Sequence, residues 1–227
     1  MAKKQNEEEI HTSIDELNDS LTGLTDKVQN NSRTIMWACI ILAAIVAGVL
    51  IYVYAVRQPG IQKANDAIGE ADFTLISGND SLALEQYKAV AADYGYDAGN
   101  RARLQAAILL YQKGEYQQAI DQLDGFKATD AIIGANAYAL KGDCYVNLDN
   151  NTEGLACFKK AVDQSDNNPY LTPAFLMKEA NVYRAMADYK AEAAIYRSII
   201  DNYPGYGQMI GADMQKYLRR AEIQAGE

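Results

Sequence analysis

A run of 23 residues without a charge, Thr34 to Val56 (TIMWACIILAAIVAGVLIYVYAV), constrains this chain more than any other stretch. Arg33 and Arg57 close it on either side. As a helix it is roughly 35 Å long, enough to cross a hydrocarbon core of about 30 Å with some tilt. Trp37 near one end, and Tyr52 and Tyr54 near the other, sit where amphipathic rings favour the headgroup layer. Gly48, among alanines, could let another helix approach closely, but a lone glycine does not define a helix-pairing motif. The rival reading is a cleaved signal peptide, but the apolar run is too long, starts too late and lacks a small-x-small cleavage site. An uncleaved anchor is expected. It divides the chain into a tail (1–33), a transmembrane helix (34–56), a linker (57–63) containing Pro59 and Gly60, and a helical domain (64–227).

The tail is polar, yet Ile10, Ile14, Leu17, Leu21, Leu24 and Val28 recur at alternating intervals of four and three. That is the seam of a helix that packs against another helix. The remaining positions are mostly Asp, Glu, Asn, Ser and Thr, unlike the Lys/Arg face of a helix lying on anionic lipid. Two readings stand: a partner helix, or a juxtamembrane helix with low propensity because of Gly23 and its Asn, Asp, Ser and Thr residues. Basic residues near the span are almost balanced, Lys27 and Arg33 before it against Arg57 and Lys63 after it. Charge alone therefore does not orient the anchor.

Beyond the anchor a repeat begins. A small residue falls at Ala71, Ala107, Gly142 and Ala180, spaced 36, 35 and 38. At constant offsets follow a turn position (Gly78, Gly114, Asp149, Ala187) and a large residue (Tyr87, Leu123, Phe158, Tyr196). One turn later come Val90, Phe126, Ala161 and Ile199. A period near 35 with a helix–turn–helix in each unit predicts an all-α solenoid of about four helical hairpins. Small residues let two helices of a unit approach, and the large ones fill the space to the next. A last helix, about 208 to 225, carries Met209, Met214, Leu218 and Ile223 on one side and is expected to cap the array.

The segments LYQKGEYQQAIDQL, LKGDCYVNLDNNTEGLACFKKAV and VYRAMADYKAEAAIYRSIIDNYP resemble tetratricopeptide repeats. They carry the small–x–x–aromatic pair (Gly142 and Tyr145; Ala180 and Tyr183), the Gly–x–Tyr turn (Gly114, Tyr116) and the closing proline (Pro204). The resemblance covers about 64 to 206 and departs from the pattern at two places. Thr74 replaces the aromatic in the first unit, and Glu192 stands where the second helix of the last unit has a small residue. The order of parts is similar to the ancillary subunits of the SecYEG translocon, single-pass tetratricopeptide proteins that accompany the periplasmic chaperone PpiD. That resemblance implies a bacterial inner-membrane protein with a cytosolic N-terminus and a periplasmic repeat domain. It implies SecYEG and a PpiD-like chaperone as partners, and emerging secreted polypeptides as clients. The alternative is an assembly factor or docking scaffold of another envelope complex.

Catalytic chemistry is not expected. The only histidine, His11, lies before the anchor, and the chain beyond it holds none. Cys39 lies within the span, and Cys144 and Cys157 have no histidine near them, so no zinc site, other metal site or cofactor is proposed. If the third turn is near Asn150 the two cysteines are nearly level, and two reduced, buried thiols are expected over a disulfide. Gly205, Gly207 and Gly211 have neither a preceding strand nor a GK[ST] tail, so they are no phosphate loop. From Gln58 onward there are 23 acidic and 16 basic side chains, which argues against nucleic-acid binding.

A protein-binding face is the better candidate. Leu104, Ile108 and Tyr111 form a second apolar stripe on their helix, and Met177 and Asn181 hold matching places in the last unit. In tetratricopeptide folds that face of the first helix looks into the groove that receives segments of other proteins. The competing reading is that the stripe packs on the preceding unit. Tyrosine, with 16 copies against 4 Phe, suits contact with extended chains because it combines apolar area with a hydrogen-bonding tip.

Overall fold

The computed structural model describes residues 32–227, which divide between Pro59 and Gly60 into two compact units. In the first, α1 (Ser32–Tyr52) is apolar on every side and exposed along its whole length. It belongs to the one helical stretch, among the described residues, that is long and apolar enough to cross a membrane. Helix α1 runs into a π-turn, Val53–Arg57, in which Gln58 N–H donates to the carbonyl of Val53 five residues back. The wide turn stands just before Pro59, whose missing N–H would leave a carbonyl four residues earlier without its usual donor. The linker expected over 57–63 is helical: α2 (Gln58–Ile76) starts there. Pro59 lies within one continuous helical stretch, so the π-turn before it is what accommodates the lost N–H.

From Gly60 the chain forms helical hairpins: α2 with α3 (Asp80–Asp93), α4 (Asp97–Gln112) with α5 (Tyr116–Asp124), α6 (Ile133–Asn147) with α7 (Asn151–Gln164), and α8 (Leu171–Ala185) with α9 (Tyr189–Asn202). The four turns have one geometry. Gly78, Gly114, Asp149 and Ala187 all take the left-handed conformation, at φ of 82°, 79°, 59° and 58°. The N–H of the next residue then bonds the carbonyl five residues back: Asn79 to Thr74, Glu115 to Leu110, Asn150 to Tyr145 and Asp188 to Tyr183. This closure satisfies carbonyls that a helix end otherwise orphans. In three turns that same residue caps the following helix, with Asn79, Asn150 and Asp188 accepting from Leu82, Glu153 and Ala191 N–H.

The repeat register is the core. Ala71, Ala107, Gly142 and Ala180 are all buried, as are Tyr87, Leu123, Phe158 and Tyr196. Gly142 is required because a Cβ there would lie 2.5 Å from a ring carbon of Phe158. The other three units accommodate Ala at this place. Burial groups the side chains into three contiguous clusters, one over α2–α6, one over α6–α8 and one over α8–α11.

The C-terminal segment departs from expectation. The single helix over 208 to 225 is two, a short α10 (Tyr206–Ile210) and α11 (Met214–Ala225), because Gly211 turns left-handed at φ 66°. Of the expected apolar side, Met214 is buried and Leu218 packs on the core, whereas Met209 and Ile223 are exposed. The face that covers the last hairpin is Met214, Leu218 and Ala221.

Glu192, the misfit of the last unit, is 0% exposed. Its carboxylate accepts a 2.7 Å hydrogen bond from the guanidinium of Arg220 on α11, which also lies 5.6 Å over the Tyr217 ring. The cap thus supplies the counter-charge that a small residue would make unnecessary. Cys144 and Cys157 are both buried free thiols, and burial pushes the Cys144 thiol up to about 12. Desolvation penalises the thiolate, so these sulfurs are packing groups.

Candidate protein-binding face

The residue after each buried small position points to the same face of its hairpin's first helix: Asp72, Ile108, Asp143 and Asn181. The register places Ile108 and Asn181, both candidates from the sequence, in one row. Ile108 is partly exposed and Asn181 exposed. Arg184, one turn on, donates to the Asn181 amide oxygen at 2.8 Å.

The other three candidates divide differently. Leu104 and Tyr111 are half-buried and pack on the first core cluster. Met177 is half-buried against the last cluster. Their stripe therefore does both things: its inner edge packs the solenoid and its outer edge borders the row. Tyr111 shows how. Its ring lies 5.5 Å from that of Tyr116 at an angle of 59°, and its hydroxyl faces Asp143 and Asn147 of the next unit. Burial, with the Asp143 carboxylate second, holds the Tyr111 phenol above its ordinary value.

Two carboxylates complete the row, and the sequence reading missed both. Asp143 receives 2.8 Å hydrogen bonds from the Lys178 ammonium on both oxygens, tying α6 to α8. Burial raises the Asp143 carboxyl, and Lys178 opposes that shift. Asp72 accepts a 2.6 Å bond from the Tyr87 hydroxyl and pairs with Arg101 of α4 at 3.3 Å. The signal available in the sequence was position alone, one residue after a small one. These ion pairs run between first helices of consecutive units, so the row is held in register by its own charges. Chemically it offers an isoleucine and a tyrosine edge beside fixed acceptors and donors. That set suits an extended polypeptide, whose backbone needs both kinds of hydrogen-bond partner. Among the described residues no three His, Cys, Asp or Glu side chains gather as a metal site would require. The heptad residues Ile10, Ile14, Leu17, Leu21, Leu24 and Val28 lie outside the described residues.

No family model matches the chain, and no curated protein matches it. Solved structures do. A crystal structure of MamA is 18% identical with a TM-score of 0.57, over 72% of this chain and 82% of that one. A second MamA structure is 19% identical with a TM-score of 0.51, over 69% and 94%. The nearly identical TPR-like repeats of a putative kinesin light chain from Podosopora anserina are 12% identical with a TM-score of 0.54, over 72% and 87%. At such identities the likeness is one of fold: the residues beyond the long apolar helix form a tetratricopeptide-like helical solenoid.

Proposed function

We propose that this protein is a membrane-anchored, non-enzymatic scaffold that serves as an accessory subunit of the Sec protein translocon. The observation that carries the proposal is the joining, in one chain, of a membrane-length apolar helix to a repeat array with a polar–apolar row along its first helices. The anchor confines the array to a bilayer surface, and tetratricopeptide arrays serve protein–protein contact. In this reading the N-terminus is cytosolic and the array periplasmic. SecYEG and a PpiD-like chaperone are its partners, and the row of Ile108, Asp143 and Asn181, bordered by Leu104, Tyr111 and Met177, meets their segments or emerging secreted chains. The tail's heptad seam, Ile10 to Val28, adds a contact on the cytosolic side. Co-purification of the full chain in mild detergent, read by mass spectrometry, tests the proposal. Recovery of SecYEG subunits is the expected result. Recovery of a different envelope complex, without SecYEG, would transfer the scaffold to that complex.

A further inference from the structure

The two ends of the repeat array are unlike, and they match each other. Within the array, the position two residues after each small residue is buried: Leu109, Cys144 and Val182. Its counterpart in the first unit, Phe73, is 71% exposed, and Ile76 one turn on is 83% exposed. Five residues before the small positions stand Ala102, Ala137 and Phe175, all buried, but the first unit has exposed Asp66. Helix α2 therefore carries a stacking face on which nothing among the described residues is stacked. Gly69 lies between Asp66 and Phe73, and a Cβ there would meet nothing within 4 Å, so the notch admits close approach. Carboxylates predominate around the patch: Asp66, Glu70 and Asp80 are exposed and form no ion pair among the described residues, against one exposed cation of α2, Lys63, a turn before Asp66.

At the other end, α11 buries Met214 and Ala221 and turns Lys216, Arg219 and Ile223 outward, on one side at intervals of three and four. Lys216 and Arg219 also form no ion pair among the described residues. We infer that the α11 face of one copy docks on the α2 face of a second copy, so that arrays associate head to tail. Ile223 then meets Phe73 and Ile76, and Lys216 and Arg219 meet the carboxylate rim. The charges choose this partner over a symmetric α2–α2 contact, which would oppose carboxylates to carboxylates. A head-to-tail contact is heterologous, each copy offering its α11 face to the α2 face of the next.

The test uses the full chain in proteoliposomes with p-benzoylphenylalanine in place of Ile76. Illumination is expected to yield a species of twice the chain's mass, with the cross-linked peptide drawn from residues 214–227. Cross-links to the α2 of another copy, to lipid alone, or no cross-link would overturn the inference. A charge exchange makes the result specific. Asp66→Lys with Glu70→Lys in one chain, and Lys216→Glu with Arg219→Glu in another, should each lower the yield about tenfold when alone. Mixing the two chains should restore it, because each then offers the charge that the other lacks. All four positions are exposed, and unchanged circular dichroism confirms that the variants fold. Failure of the mixture to recover the cross-link would contradict the pairing.

Discussion

Three buried residues decide how the array tolerates change. Gly142 meets Phe158 so closely that Gly142→Ala must displace the ring. Overpacking of this kind costs about 1–3 kcal/mol, to be read by denaturant unfolding. Glu192 depends on Arg220. Arg220→Ala strands a buried carboxylate and should cost roughly 3 kcal/mol, the low end for such a loss because Arg220 is partly solvated. The Glu192→Ala/Arg220→Ala pair should recover most of that stability, since the register asks for a small residue there. Glu179 is 3% exposed, and desolvation raises its carboxyl from 4.5 to about 7, with Lys159 opposing and Asp163 adding to the shift. A carboxyl raised in the folded state contributes its full stability below pH 4.5 and loses it as pH climbs through 7. Unfolding free energy should therefore fall by about 3 kcal/mol at most over that interval, and Glu179→Gln should flatten the profile. The sequence marked Gly142 as a small packing position and Glu192 as a departure from the register, but neither the partner of Glu192 nor the burial of Glu179 was legible in it. Periodicity identifies which positions are buried, but the Arg220 partner comes from 28 residues downstream, and only the cap's placement brings it near.

Helices and turns were far more legible, because both are local. The offsets that placed a turn at Gly78, Gly114, Asp149 and Ala187 located the left-handed residue within each helical hairpin. A non-glycine residue in that conformation is strained by its Cβ. Ala187→Gly, which restores the residue used at the first two turns, should stabilise the fold by roughly 1 kcal/mol in thermal or chemical unfolding. What sequence patterns misjudged were the places where helix signals conflict. Pro59 and Gly60 read as a break, yet the preceding π-turn lets the backbone pass into α2. Gly207 and Gly211 sit among apolar residues at helical spacing, yet one of them, Gly211, ends α10. Met209 and Ile223 matched the apolar stripe only if that helix were continuous. Met209 is cut off from α11 by the break, whereas Ile223 shares α11 with Met214 but stands nine residues on, half a turn round the helix, so both face outward.

On the scale of the whole molecule, the fold followed from three regularities: an uncharged run, a period near 35 and a terminal amphipathic helix. The candidate face was half legible. A stripe at helical spacing picked out Leu104, Ile108 and Tyr111 but could not separate the residues that pack, Leu104 and Tyr111, from the one left open. It also passed over Asp72, Asp143 and Lys178, whose pairing joins neighbouring units. Ile108 is therefore the residue on which the scaffold proposal turns, being the apolar member of the row and the one of the stripe that stands outside the core cluster. The decisive measurement is quantitative co-purification of the full chain carrying Ile108→Glu beside the unmodified chain. The account predicts an unchanged unfolding transition and membrane fraction, with SecYEG and chaperone recovery reduced about tenfold, as for a charge introduced at a central contact. Undiminished recovery of those partners by the folded variant would contradict it.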